Sequence, residues 1–462
     1  MTTDFSQGRV WRRIVAQAVP LTLAQLVQLL YSIVDRIYIG HLPGLGSAAL
    51  TGVGLTFPVV TLIAAFTALF SMGGTPLFSI ARGAGEEARA KRIMGSVFSL
   101  LALTSLALTV FCLALRRPIM FLFGASEASY VYADAYLRIY LLGTPLTMLA
   151  TGLNGFISAQ GFPRVGMLTT VIGAACNLAL DPLLIFGLNM GVSGAALATV
   201  ISQGVSGLLC LLWIAVRFPI LHITREEWRV QGKRMTELCA YGVPMGLQYS
   251  ITAIGSVILQ VAVNSLGSVA VAAATAGSKV LSFLACPFDA LGSTMATYGA
   301  QNVGASRYDR LNRGVFAASM MGFAYSVLAF AVTWFFGTEL VSLFVSGEGG
   351  AELIELAQQY MLVVVLFYPL LTLVNVVRFM IQGMGFSAFA IIAGVMEMIA
   401  RSLAGIVLVP VWGFIGAALG GPLAWVFADL FLVPAYFRCR RHLMSTAHHV
   451  HVTSGEEGAV QR

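Results

Sequence analysis

The stretch NLALDPLLIFGLNMGVSGAALATVISQ, residues 177–203, decides how the chain is read. Two apolar runs flank the punctuation GLNMG at 187–191, and Asp181 is the single charged residue in the whole stretch. A short Gly- and Asn-containing break between apolar runs reverses the chain, and runs this apolar belong in hydrocarbon. The pattern recurs along all 462 residues, of which 58% are hydrophobic and 10% charged, against roughly 25% charged in a soluble domain. That deficit excludes an ordinary cytosolic enzyme and a disordered chain. It also excludes a nucleic-acid binder, because too few basic residues exist to follow a phosphate backbone. A helix needs about 20 apolar residues to cross about 30 Å of hydrocarbon. The fold class expected is an all-α polytopic membrane protein.

Punctuation by charge, Gly and Pro predicts twelve transmembrane helices over 14–40, 47–81, 93–115, 131–160, 164–186, 192–216, 236–266, 269–302, 313–337, 352–383, 387–410 and 413–438. The chain also repeats. At an offset of 224, Ala16, Val19 and Pro20 match Ala240, Val243 and Pro244, and Ile157, Gly161 and Phe162 match Ile381, Gly385 and Phe386. At an offset of 222, Gly194-Ala195-Ala196-Leu197 matches Gly416-Ala417-Ala418-Leu419. The expected organisation is an N-lobe over 1–216, a charged cytoplasmic linker over 217–235, a C-lobe over 236–438 and a disordered tail over 439–462. Six helices per repeat is an even number, so both lobes enter the membrane in the same sense. Alternate loops starting from the N-terminus hold 19 Lys and Arg residues, and the opposite loops hold only Arg116 and Arg117. This asymmetry predicts that both termini are cytoplasmic, and the membrane expected is the plasma (inner) membrane. The six cysteines are scattered in apolar runs with no CxxC and read as small hydrophobes.

No HExxH, Walker loop or nucleophile elbow occurs, which argues against an ATP-driven pump and against a membrane enzyme. The chemistry therefore rests on polar residues inside the spans. An acid at the bilayer centre costs about 2.5–3.5 kcal/mol on insertion scales and needs a reason. Counting at about 1.5 Å per residue puts Asp35 and Thr199 roughly 12 Å below the outer loops, and Asp181 roughly 9 Å below. Asn177 shares a helix face with Asp181 at i, i+4. Two carboxylates, an amide oxygen and a hydroxyl form a hard-oxygen cluster suited to Na⁺ or to a shared proton. The competing reading is that these groups hydrogen-bond among themselves and hold three helices together. In the second half, Glu397 and Arg401 stand at i, i+4 and are expected to pair. With Arg378 and Asp429 they form a C-lobe polar network, read first as structural. Pro20, Pro145, Pro244 and Pro369 lie inside spans, and each invites a bend.

The run NxxxDP followed by GxxGAAxAT, with VDRIYIG (34–40) and QNVGASRYDR (301–310), resembles the multidrug and toxic compound extrusion (MATE) family over nearly the whole chain. The resemblance implies two six-helix lobes and exchange of inward Na⁺ or H⁺ for outward organic, often cationic, compounds. In the archaeal and DinF-like branch it implies an N-lobe cation site on Asp35, Asn177, Asp181 and Thr199. It adds a substrate cavity lined by Gln28, Tyr31, Tyr136 and Asn154. Some NorM-like members carry an acid in the seventh helix, where this chain has GLQYSITAIGSVIL (246–259), so coupling is expected in the N-lobe. The alternative is a flippase for a lipid-linked precursor, but the N-lobe cluster is acidic and favours cationic cargo. No cofactor beyond the coupling ion and no metal beyond Na⁺ is expected. The partners expected are small amphipathic drugs and the lipid bilayer, with the chain acting as a monomer. Topology is testable by cysteine labelling. Probes added outside should reach Gly44→Cys and Gly349→Cys, and probes added inside should reach Glu87→Cys and Gln231→Cys. Labelling of Glu87→Cys from the outside alone would overturn the orientation.

Overall fold

The computed structural model describes residues 4–43, 46–217, 232–344 and 350–460, and among these no strand occurs. The first half forms α1 (Val10–Gly40), α2 (Gly46–Gly83), α3 (Glu87–Leu122), α4 (Glu127–Ala159), α5 (Pro163–Pro182) and α6 (Val192–Arg217). The second half forms α7 (Gly232–Asn264), α8 (Ser268–Gly304), α9 (Asp309–Ser342), α10 (Gly350–Leu366), α11 (Tyr368–Gly383), α12 (Phe389–Leu403), α13 (Val409–Trp412), α14 (Phe414–Ala418) and α15 (Gly420–Val460). Among the described residues, ten helical segments are long and apolar enough to cross a bilayer, and the pair α10 and α11, bent by 50°, makes one more. With α4 these give the twelve spans. α4 falls short on composition because its apolar half, 141–158, is diluted by Gly, Thr, Pro and Asn, and its first half carries Asp134 and Arg138. Arg116 Nε donates to Asp134 at 2.7 Å, and Arg138 pairs with the same carboxylate at 2.5 Å. Helices are the only local solution here, since hydrocarbon offers backbone groups no water. Large apolar side chains such as Val110, Phe335 and Leu430 point outward, as lipid-facing residues do.

Two compact units emerge. One holds 19–78 and 86–242, and the other holds 4–18, 79–85 and 243–462. The division differs from a cut at the predicted linker, because the start of α1 and the end of α2 pack within the second unit. There Phe5 N–H donates to Gln301 Oε1 at 3.1 Å, and Arg310 donates to the carbonyls of Phe5 and Gly8 at 3.1 and 2.9 Å. The predicted linker lies largely outside the described residues. The expected loose tail is corrected over its first turns. α15 continues through them, Cys439 is buried, and the His442 ring meets Phe386 edge-on at 6.1 Å.

Both units share one irregular device. After Pro182, which has no N–H to give, α5 widens into a π turn over Leu183–Gly187, and α12 widens likewise over Ala404–Leu408. Each is followed by a left-handed glycine, Gly191 at φ +56° and Gly413 at φ +57°. The next helix then passes so close that a Cβ on Gly194 would lie 2.7 Å from Leu184 C, and one on Gly416 2.2 Å from Leu408 O. Small residues at helix contacts let backbones approach in this way. The prolines behave differently from one another. Pro20, Pro145 and Pro244 ride inside continuous helices, but Pro369 sits just after a break at Phe367. Gly194→Ala should therefore destabilise the protein by about 1–3 kcal/mol through overpacking against the π turn. Gly54→Ala, whose new Cβ meets nothing within 4 Å, should leave stability nearly unchanged. Thermal unfolding in detergent measures both, and equal midpoints for the two variants would contradict the close approach.

Candidate functional site

Four helices of the first unit bring polar side chains to one level. α1 supplies Gln28, Tyr31 and Asp35, spaced three and four apart so that they share a stripe. α5 supplies Asn177 and Asp181 immediately before the π turn, α6 supplies Thr199, and α4 supplies Tyr136. Asp181 is fully buried and Asn177 is 1% exposed. Asn177 Nδ2 donates to Asp181 Oδ1 at 3.4 Å. The Asp35 and Asp181 carboxylates are near enough to repel one another. Tyr136 hydrogen-bonds Thr199 and feels the charge of Asp35. Tyr31 hydrogen-bonds Gln28 and accepts from Gln203 Nε2 at 3.3 Å, tying the α1 stripe to α6.

Three buried oxygens of this cluster lack a donor: Asp35 Oδ1, Asn177 Oδ1 and Asp181 Oδ2. All are acceptors, and two belong to carboxylates. Buried acceptors without donors are costly; a hard monovalent cation can satisfy all three, and a proton on one carboxyl can satisfy two of them. The donor set, oxygen throughout, fits Na⁺ or H⁺. Arg36, adjacent to Asp35, is exposed and acts on it only through its charge. Asn154 does not join the cluster. Its amide nitrogen donates to the Gly166 carbonyl at 2.9 Å and to Thr169 Oγ1 at 3.0 Å, clamping α4 to α5. The reason is simple rise, since eighteen residues of helix separate it from Tyr136, about 27 Å. Two further members were overlooked in the sequence. Gln203 is i+4 from Thr199 and visible by that spacing, and Tyr140 stacks on Tyr136 with centroids 6.0 Å apart.

In the second unit, Glu397 and Arg401 do pair, at 3.7 Å, but Arg378 is the closer partner of the same carboxylate. Thr252 Oγ1 donates to Glu397 at 3.4 Å, and Arg401 Nη1 donates to the Thr252 carbonyl at 3.1 Å, so the network binds α7, α11 and α12. Asn375 donates to Asp289 at 3.2 Å. Asp429 is buried with neither oxygen hydrogen-bonded and feels Arg378 and Glu397 only through charge.

A MatE family model matches residues 20–183 and again 244–411. The chain belongs to the MatE family. The second match begins at Pro244, the residue that the internal repeat pairs with Pro20. This MatE chain is similar to the probable multidrug resistance protein YoeA of Bacillus subtilis (strain 168), 25% identical over 377 residues and 80% of each chain. It is 26% identical over 280 residues to the multidrug export protein MepA of Staphylococcus haemolyticus (strain JCSC1435), covering 60% of this chain and 61% of MepA. Its fold matches an outward-facing multidrug resistance MATE family transporter of the MOP superfamily with a TM-score of 0.88 at 22% identity, over 96% of this chain and 99% of that one. The chain is thus a multi-pass membrane transporter of this family. In the MatE C-lobe network, Glu397→Gln removes the carboxylate that Arg378 and Arg401 share. It should cost about 3–5 kcal/mol, and Arg378→Met added to it should restore part of that loss. Unfolding midpoints in detergent decide this. A single variant as stable as wild type would remove Glu397 as the network's anchor.

Proposed function

We propose that the protein exports amphipathic, often cationic, organic compounds across the plasma membrane in exchange for Na⁺ or H⁺ moving inward. The observation that carries this reading is the trio of buried, donorless oxygens on Asp35, Asn177 and Asp181. The names of YoeA and MepA, given for multidrug resistance and export, support the cargo class. A flippase is not favoured, since the relatives are named for drug export and the N-lobe cluster is acidic. The proposed orientation has both termini cytoplasmic and rests on the Lys and Arg asymmetry of the loops. The chain is proposed to act as a monomeric transporter, not as an enzyme.

Coupling follows from sharing. Asp35 belongs both to the acid pair with Asp181 and to the Gln28–Tyr31 stripe. A cation held between the carboxylates removes the negative charge that a cationic compound on that stripe would meet. Linkage then requires cargo and coupling ion to weaken one another by the same factor. Dye efflux from proteoliposomes under separately imposed Na⁺ and H⁺ gradients should show dependence on at least one of them. Asp181→Asn keeps the shape but cannot carry the charge, and should abolish that efflux while inserting normally. In detergent, the affinity for a fluorescent cation should fall as Na⁺ or H⁺ rises, and Asp35→Asn should flatten the dependence. Wild-type efflux by Asp181→Asn, or wild-type affinity indifferent to both ions, would sink the reading.

A further inference from the structure

A cavity of about 660 Å³ opens within the second unit, and its polarity is opposite to that of the Asp35–Asp181 cluster. Its charged lining residues are Lys279 and Arg401, and among the described residues no carboxylate lines it. Lys279 lies eleven residues into α8, about 16 Å along a helix of 37 residues, beside Phe344 just past the end of α9. Its side chain is exposed, its ammonium sits 6.0 Å from the Phe344 ring centroid, and among the described residues no ion pair neutralises it. Arg401 reaches Glu397 only at 3.7 Å, and that carboxylate is already held by Arg378. Glu397, Asp289 and Asp429 compensate the guanidiniums within the network, but none of the three lines the cavity, whose wall carries only the two cations. The rest of the wall suits an amphiphile. Ser278, whose hydroxyl lies 3.5 Å from Tyr360 Oη, and Ser282 offer hydrogen bonds, and Tyr360 and Trp425 offer ring faces.

Two cationic side chains in the wall of a cavity that, among the described residues, no carboxylate lines attract an anion into it. We infer that this cavity is a binding site for an amphiphilic anion, an aromatic or alkyl carboxylate or a phosphate-bearing head group, held by Lys279 and Arg401. The inference goes beyond the export reading and does not rest on it, since binding in detergent needs no gradient and no coupling ion.

The full-length protein in detergent is titrated with fluorescein, an anion, and with tetramethylrhodamine methyl ester, a cation on the same ring frame. Fluorescence anisotropy reads both. Fluorescein should bind saturably. Lys279→Gln should weaken it about tenfold or more, the loss of one charge-assisted contact, Lys279→Glu should abolish it, and Lys279→Arg should retain it. The cation's affinity should change less than twofold in all three variants, which also shows that they are folded. Displacement of fluorescein by dodecanoate assigns the site to free amphiphiles, and displacement by phosphatidylglycerol alone assigns it to a lipid head group. Either result sustains an anion site. Equal fluorescein affinity in wild type and Lys279→Gln, parallel loss of both dyes, or displacement by neither competitor overturns it. Failure of the export reading registers separately, in the efflux of Asp181→Asn.

Discussion

Two carboxylates on helices that cross hydrocarbon demand compensation, because charge is costly there. Asp35 and Asp181 are within reach of each other's field, and Asp35 Oδ1, Asn177 Oδ1 and Asp181 Oδ2 accept from no donor. In low dielectric such a pair cannot stay doubly ionised without a counter-ion. The rest of the first unit serves to keep the pair in place. The π turn after Pro182 fixes where α5 ends, the tight passage at Gly194 locks α6 against that turn, and the Tyr31–Gln203 bond ties α1 to α6.

The second unit uses the same scaffold and answers the demand in another way. Its π turn also follows a polar pair at i, i+4, but the pair is Glu397 and Arg401, not Asn177 and Asp181. In the second unit positive charge stands beside the acid as a side chain. Arg378 adds another, so the network closes on itself through Thr252 and holds helices together. Duplicated backbones thus carry different electrostatics, a pair of acids in one unit and a cavity lined by Lys279 and Arg401 in the other.

Much of this was legible in the sequence because it follows from spacing. Asn177 and Asp181 share a face by arithmetic, and loop punctuation fixes their depth and that of Asp35 and Thr199. The repeat fixed which prolines and glycines correspond. What spacing cannot show is a partner on another helix. Arg378, nineteen residues from Glu397 on a separate helix, was not assigned to it for that reason. Nor could it show that Pro369 would break its span while Pro145, its counterpart, would not. Neighbouring side chains decide whether a missing backbone bond bends a helix. Asn154 was a different failure, since helical rise alone separates it from Tyr136.

The π turn at Leu183–Gly187 couples residue count to the direction in which Asp181 points. A π turn holds one residue more than the α-helical path it replaces, and each residue of an α-helix advances the azimuth by about 100°. Removing one residue from this segment would restore regular winding and swing everything N-terminal of it by that angle relative to α6. Asp181 would then leave Asp35 without any change in its own identity. Within this segment, insertions and deletions act on the site as substitutions do elsewhere, and chain length there is as much a determinant of the acid pair as the acids themselves.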